Sequence, residues 1–109
     1  MDSVARKPET GPSSDPELLI LSSLADGPKH GYAMKLDIAL FANVELGPGT
    51  LYSAITRLVD HRWIEPQDEN GRQRPYRITM EGLEHLHAQL ERMQRLARFG
   101  LRRLRTVCT

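Results

Sequence analysis

Residues 47–86 read GPGTLYSAITRLVDHRWIEPQDENGRQRPYRITMEGLEHL, and this stretch decides the fold. It opens on a short helix. Thr50 is placed to cap it, and Leu51, Ile55, Leu58 and Val59 recur at the spacing of one buried helix face. Tyr52, Ser53, Thr56, Arg57 and Asp60 lie around the remainder. Trp63-Ile64-Glu65 and Tyr76-Arg77-Ile78 then read as two strands, with Asn70-Gly71 between them as a tight-turn signal. Pro66 and Pro75 cannot donate to a ladder and limit these strands to edge positions. Ile78-Thr79-Met80-Glu81-Gly82 leads into another helix, with Thr79 as its cap. Helix, arginine-rich hairpin and helix in that order describe the reading head of a winged helix, which points to nucleic acid as the partner.

Upstream, Asp15-Pro16-Glu17 is a helix start: a capping aspartate, proline at the first helical position and an acid in the first turn. The apolar run Leu18–Leu21 with Leu24 makes a short buried helix that ends near Ala25, and Asp26-Gly27-Pro28 turns the chain. From Gly31 to Phe41 a second helix is expected. Tyr32, Leu36, Ala39 and Leu40 are spaced to form its buried face, which leaves Lys35 and Asp37 on other sides. The connector 42–49 has room for a brief extended segment. Met1–Ser14, rich in Pro, Ser and Gly and poor in large apolar residues, is expected to be a disordered tail.

Downstream, a helix is expected over 80–105. Its apolar residues Leu83, Leu86, Leu90, Met93, Ala97, Leu101 and Leu104 step by 3, 4, 3, 4, 4, 3, close to a heptad seam. Twenty-five helical residues span ~38 Å, more than so small a body covers, so the far half is expected to pack on a second copy. The fold class is therefore mainly α with a small β-hairpin. The expected division is a tail (1–14), a winged helix-turn-helix domain (15–79), a C-terminal dimerisation helix (80–105) and a short tail (106–109).

The chain has 109 residues, enough for one domain near the lower comfortable size for its own core. Through Gly71 it carries 6 Lys+Arg against 11 Asp+Glu; from Arg72 onward it carries 9 arginines against 3 glutamates. The formal net charge of +1 thus conceals an acidic first part and a basic second one. Such asymmetry fits either a solvated surface or anion binding. No apolar run is long enough for a membrane span, Arg6 and Lys7 are not followed by the apolar stretch of a signal peptide, and the lone Cys108 fits a cytoplasmic protein.

For DNA the candidate residues are Thr50, Tyr52, Ser53, Thr56 and Arg57 on the exposed side of the central helix, with Arg72 and Arg74 beyond the hairpin turn. The helix residues can donate hydrogen bonds to phosphates or base edges, and a helix N-terminus offers free N–H groups to a phosphate. Guanidinium groups on a hairpin tip suit phosphate pairing or a narrow minor groove. Arg95, Arg98, Arg102 and Arg105 form a stripe along the last helix: a solvated flank of the seam, or a surface for DNA backbone or an acidic partner. His85 and His87, two residues apart on a helix, face different ways and do not make a metal pair. His30 is placed to cap a helix or meet phosphate, and Trp63 to pack in the core. No nucleophile elbow, phosphate loop or paired-carboxylate site is visible, so neither an enzyme nor a cofactor is expected.

The combination His30-Gly31-Tyr32, Gly49-Thr50-Leu51-Tyr52, Arg57-Leu58, Gly71-Arg72 and Ile78-Thr79 through Gly82 resembles the PadR family of bacterial transcriptional regulators, over about Glu17 to Leu90. The resemblance implies a homodimer on an inverted-repeat DNA operator, a recognition helix at Thr50–Asp60 with Tyr52 at the DNA backbone, and a wing at Trp63–Thr79. A single helix after the wing is similar to the short members, some of which bind planar drug-like compounds between subunits through a tryptophan on that helix. Here Phe99 is its only large aromatic residue. Ser53 stands where a proline is common, and Arg62-Trp63 where the family usually has Gly-Leu, so the corner into the wing lacks its left-handed glycine. The expected protein is a cytoplasmic homodimeric repressor with double-stranded DNA as partner and a small-molecule effector of unknown identity. The alternative is a winged helix that docks an acidic protein.

Overall fold

The computed structural model describes residues 15–67 and 74–108. The chain forms α1 (Pro16–Leu24), α2 (Gly31–Ala42), α3 (Pro48–Asp60), β1 (Ile64–Pro66), β2 (Tyr76–Ile78) and α4 (Met80–Cys108). The expected disordered tail, the Asn70-Gly71 turn and Arg72 lie outside the described residues.

α1 starts as its sequence dictates. The Asp15 carboxylate accepts from the backbone N–H groups of Glu17 and Leu18, at 3.0 and 3.4 Å, and satisfies donors that the first turn leaves unpaired. Leu19, Ile20, Leu21 and Leu24 are buried. At the other end of the domain, Thr79 caps α4: its Oγ1 accepts from Gly82 N at 3.0 Å and donates towards the Arg62 and Trp63 carbonyls.

Two helix assignments need correction. α3 begins at Pro48 with Gly47 as its N-cap, so Thr50 lies inside the first turn and does not cap it; proline at the first helical position is the stronger start signal. In α2 the buried residues are Gly31, Met34 and Ile38, and the expected inner face is outside: Tyr32 is 66%, Leu36 48% and Leu40 85% exposed. This helix is apolar nearly all round, so its period fits either phase. Close approach to α3 selects the face that carries Gly31. A methyl group there would lie 2.5 Å from the Tyr52 hydroxyl oxygen. The connector 43–47 contains no strand, although Leu46 is buried.

One core holds the domain together: Ile20, Leu21 and Leu24 of α1, Met34 and Ile38 of α2, Leu51, Ala54, Ile55 and Leu58 of α3, with Ile64, Ile78 and Leu86 closing it from the hairpin and α4. The strands pair antiparallel, Ile64 opposite Ile78, Glu65 opposite Arg77 and Pro66 opposite Tyr76. The turn before α2 adds to them. Lys29 N donates to the Tyr76 carbonyl at 3.1 Å and Tyr76 N to that of Lys29 at 2.9 Å, so the outer edge of β2 is also paired. Lys29 Nζ reaches the Ser23 carbonyl and the Asp26 carboxylate, at 2.5 and 2.6 Å, and its hydrogen bond and charge hold the Asp26 carboxyl below its ordinary value.

α4 continues to Cys108, so 106–108 belong to the helix and not to a tail. The seam expected along it divides. Leu86 is 5% exposed and belongs to the core of its own chain, which removes it from any surface for a second copy. Leu83, Leu90, Leu101 and Leu104 remain 40–60% exposed, and Ala97 is exposed too. Periodicity registers every apolar residue on a helix but not which of two neighbours it faces; α1 packs beneath the first half of α4 and takes Leu86.

Candidate nucleic-acid interface

α3 is held by one face. Leu51, Ala54, Ile55 and Leu58 anchor it against the other helices, and the opposite face carries Thr50, Tyr52, Ser53, Thr56 and Arg57, all exposed. Five expected DNA-binding residues therefore share one solvent-facing surface. Two have internal bonds as well. Thr56 Oγ1 donates to the Tyr52 carbonyl at 2.9 Å, which leaves its oxygen free to accept. Arg57 Nε donates to Glu17 Oε2 at 2.6 Å, an ion pair that ties α3 to the start of α1. A guanidinium has further N–H donors, and this side chain is half-exposed. The Tyr52 phenol rests on the first turn of α2 beside Gly31, which brings a hydroxyl donor next to a helix N-terminus. His30 occupies the N-cap position there, its carbonyl accepting from Met34 N.

The hairpin leaves α3 through a tight corner. Arg62 adopts φ 64°, the left-handed conformation for which glycine is the usual residue. Thus the corner keeps its geometry although it lacks the glycine. Trp63 follows, half-buried, and its indole stacks with His61 at 4.4 Å between ring centroids and with His85 of α4 at 3.7 Å. The Trp63 carbonyl accepts from Thr79 N at 2.9 Å, and α4 approaches it so closely that a side-chain carbon at Gly82 would lie 2.1 Å from that oxygen. The end of α3, the hairpin base and α4 therefore meet at one joint. The stack was not legible in the sequence, since three ring side chains at positions 61, 63 and 85 have no common period.

On the hairpin, Arg74 and Arg77 are exposed, and Arg77 pairs with Glu65 across the strands. Arg77 is a further exposed arginine that the sequence reading did not single out for DNA; its signal was the recurrence of arginine at 72, 74 and 77 along one arm. His87 lies 3.7 Å from Glu91 on α4, away from His85, so the two histidines do face apart. Among the described residues no group of three His, Cys, Asp or Glu is arranged to hold a metal ion, and no helix is long and apolar enough to cross a membrane. Between α1, the end of α2 and the middle of α4 runs an apolar groove of about 620 Å³, bordered by Leu18, Leu19, Phe41, Leu90, Met93 and Leu96.

With this geometry in view, the comparisons with known proteins agree. The sequence profile of the transcriptional regulator PadR-like family matches residues 20–88, more than half of the chain. An uncharacterized 37.1 kDa protein in transposon TN4556 of Streptomyces fradiae is 42% identical over 85 residues, 78% of this chain but only 25% of its own length. A transcriptional regulator from Clostridium thermocellum is 29% identical and superposes with a TM-score of 0.70 over 77% of this chain and 84% of that one. A PadR family transcription regulator from hypervirulent Clostridium difficile R20291 has the same fold, with a TM-score of 0.69 at 24% identity over 77% of this chain and 92% of that one.

Proposed function

Since the chain belongs to the PadR-like family of transcriptional regulators, and is a regulator of transcription and not an enzyme, we propose that it acts as a cytoplasmic homodimeric repressor on an inverted-repeat operator. The observation that carries this reading is the single exposed polar face of α3 next to a basic hairpin. In the proposed complex each α3 enters a major groove, with the two about one turn of duplex apart. Thr50, Ser53, Thr56 and Arg57 meet base edges and phosphates, Tyr52 takes a backbone phosphate beside the α2 N-terminus, and Arg72 and Arg74 grip flanking backbone or minor groove.

Occupying both half-sites multiplies the affinity of one. Release then needs only a shift of one head relative to the other. A small-molecule effector seated in the apolar groove beside α4 would supply that shift through the joint at Trp63. The groove lacks a tryptophan, but Phe41 offers an aromatic edge and Leu18, Met93 and Leu96 an apolar wall.

The test is binding to duplex DNA upstream of the chain's own gene across a salt series. Specific binding that weakens steeply as salt rises supports the reading. Arg72→Ala with Arg74→Ala is expected to weaken binding to all sequences and to flatten the salt dependence, by about one unit of log slope per phosphate that is no longer neutralised. An unchanged slope in the double variant removes the hairpin from the interface. Absence of duplex binding at any salt removes the reading itself.

A further inference from the structure

α4 carries a charge pattern that the DNA contacts proposed for α3 and the hairpin leave unassigned. Glu84, Glu91, Arg98 and Arg105 follow at seven-residue intervals, two acids and then two bases, and all four are exposed. One residue before each stands Leu83, Leu90, Ala97 and Leu104, which with Leu101 make the exposed apolar stripe of the helix. Its opposite margin, Leu86 and Met93, turns to the chain's own α1 and the adjoining groove. The stripe thus has one flank towards its own body and one charged flank towards solvent, and the charge reverses sign half-way along. His87 and Gln94 fill alternate positions on the stripe, and a polar residue near the middle of such a seam fixes its register at a cost in stability.

Two helices that pack side by side along a seven-residue stripe bring flank residues into pairs. When the helices run antiparallel, the same flank of each faces the other. A row that reads acid, acid, base, base is complementary to itself only when reversed. We propose that a second copy of this chain docks on this stripe with its α4 antiparallel, so that Glu84 faces the partner's Arg105 and Glu91 faces the partner's Arg98. Both pairs have their midpoint between Gln94 and Arg95, which is where the two-fold axis passes. The second α4 also covers the open side of the groove that Leu90 and Ala97 border. This deepens the homodimer of the proposed function and rests on it: it specifies orientation and register.

Charge exchange tests the proposal without DNA. Four proteins are compared by sedimentation equilibrium at low salt, with circular dichroism to show that each is folded: the natural chain, an all-basic row (E84R with E91R), an all-acidic row (R98E with R105E) and the fourfold exchange (E84R, E91R, R98E and R105E). Two-fold symmetry makes four pairs, each modest when exposed. Each single-sign row is therefore expected to weaken self-association by at least about tenfold. An equal mixture of the two should form a heterodimer about as tight as the natural homodimer, and the fourfold exchange should restore self-association. Single-sign rows that dimerise like the natural chain overturn the antiparallel pairing, as does a fourfold exchange that stays weak. Loss of duplex DNA binding by the all-acidic row with self-association unchanged also overturns it and assigns the arginines to DNA. A natural chain that is monomeric throughout the concentration range overturns the dimer itself, an outcome distinct from a dimer of the wrong orientation.

Discussion

Arg62 holds the left-handed conformation that a glycine would adopt without a clash between Cβ and its own backbone. The cost of that conformation to an ordinary residue is roughly 1–2 kcal/mol, offset in part because arginine restricts the unfolded chain more than glycine does. Arg62→Gly is expected to stabilise the protein by about 0.5–1 kcal/mol, read as a higher midpoint in urea with an unchanged slope. The corner survives without glycine because its neighbours hold it: the Arg62 carbonyl accepts from the Thr79 hydroxyl and the Trp63 carbonyl from Thr79 N. The sequence identified position 62 as the place where a special conformation is needed. That arginine adopts it follows from bonds made across seventeen residues, which no local pattern encodes.

At the scale of elements, legibility depended on how polar the far side of each helix is. α3 has apolar residues on one side and polar ones on the other, so its inner face and its five outward candidates were readable from spacing alone. α1 was readable from its cap. α2 offers two apolar faces, and spacing could not choose between them. Substitution separates the two: Met34→Ala, at a fully buried site, is expected to cost about 2–4 kcal/mol. Leu40→Ala, at a site 85% exposed, is expected to change stability by less than about 0.5 kcal/mol. Equal effects in denaturant unfolding would reverse the orientation of α2. The hairpin gave the reverse case. Its two strands were legible, with β1 at Ile64–Pro66 one residue later than expected, while its third backbone partner at Lys29 was not, because a two-residue exchange of bonds in a turn has no sequence signature.

For the whole molecule, the division of charge along the chain acquires a spatial meaning. The basic second part comprises the hairpin arm and the outer half of α4, two surfaces at different ends of the joint. Net charge alone could not separate them, and only the hairpin adjoins α3. α4, 29 residues and about 43 Å long, leaves leucines at 83, 90, 101 and 104 open to solvent in a single chain. If a second copy covers them, folding and association are linked, and the thermal midpoint is expected to rise with protein concentration by mass action. A midpoint constant over a hundredfold range of concentration would show that the stripe stays uncovered.

Trp63 has one more consequence. It is the chain's single tryptophan, and it stacks with two imidazole rings, that of His61 just after α3 and that of His85 on α4. The protein therefore contains its own optical gauge at the point where its parts join. An event that turns α4 against the head and separates His85 from the indole is expected to change the emission of an unlabelled sample.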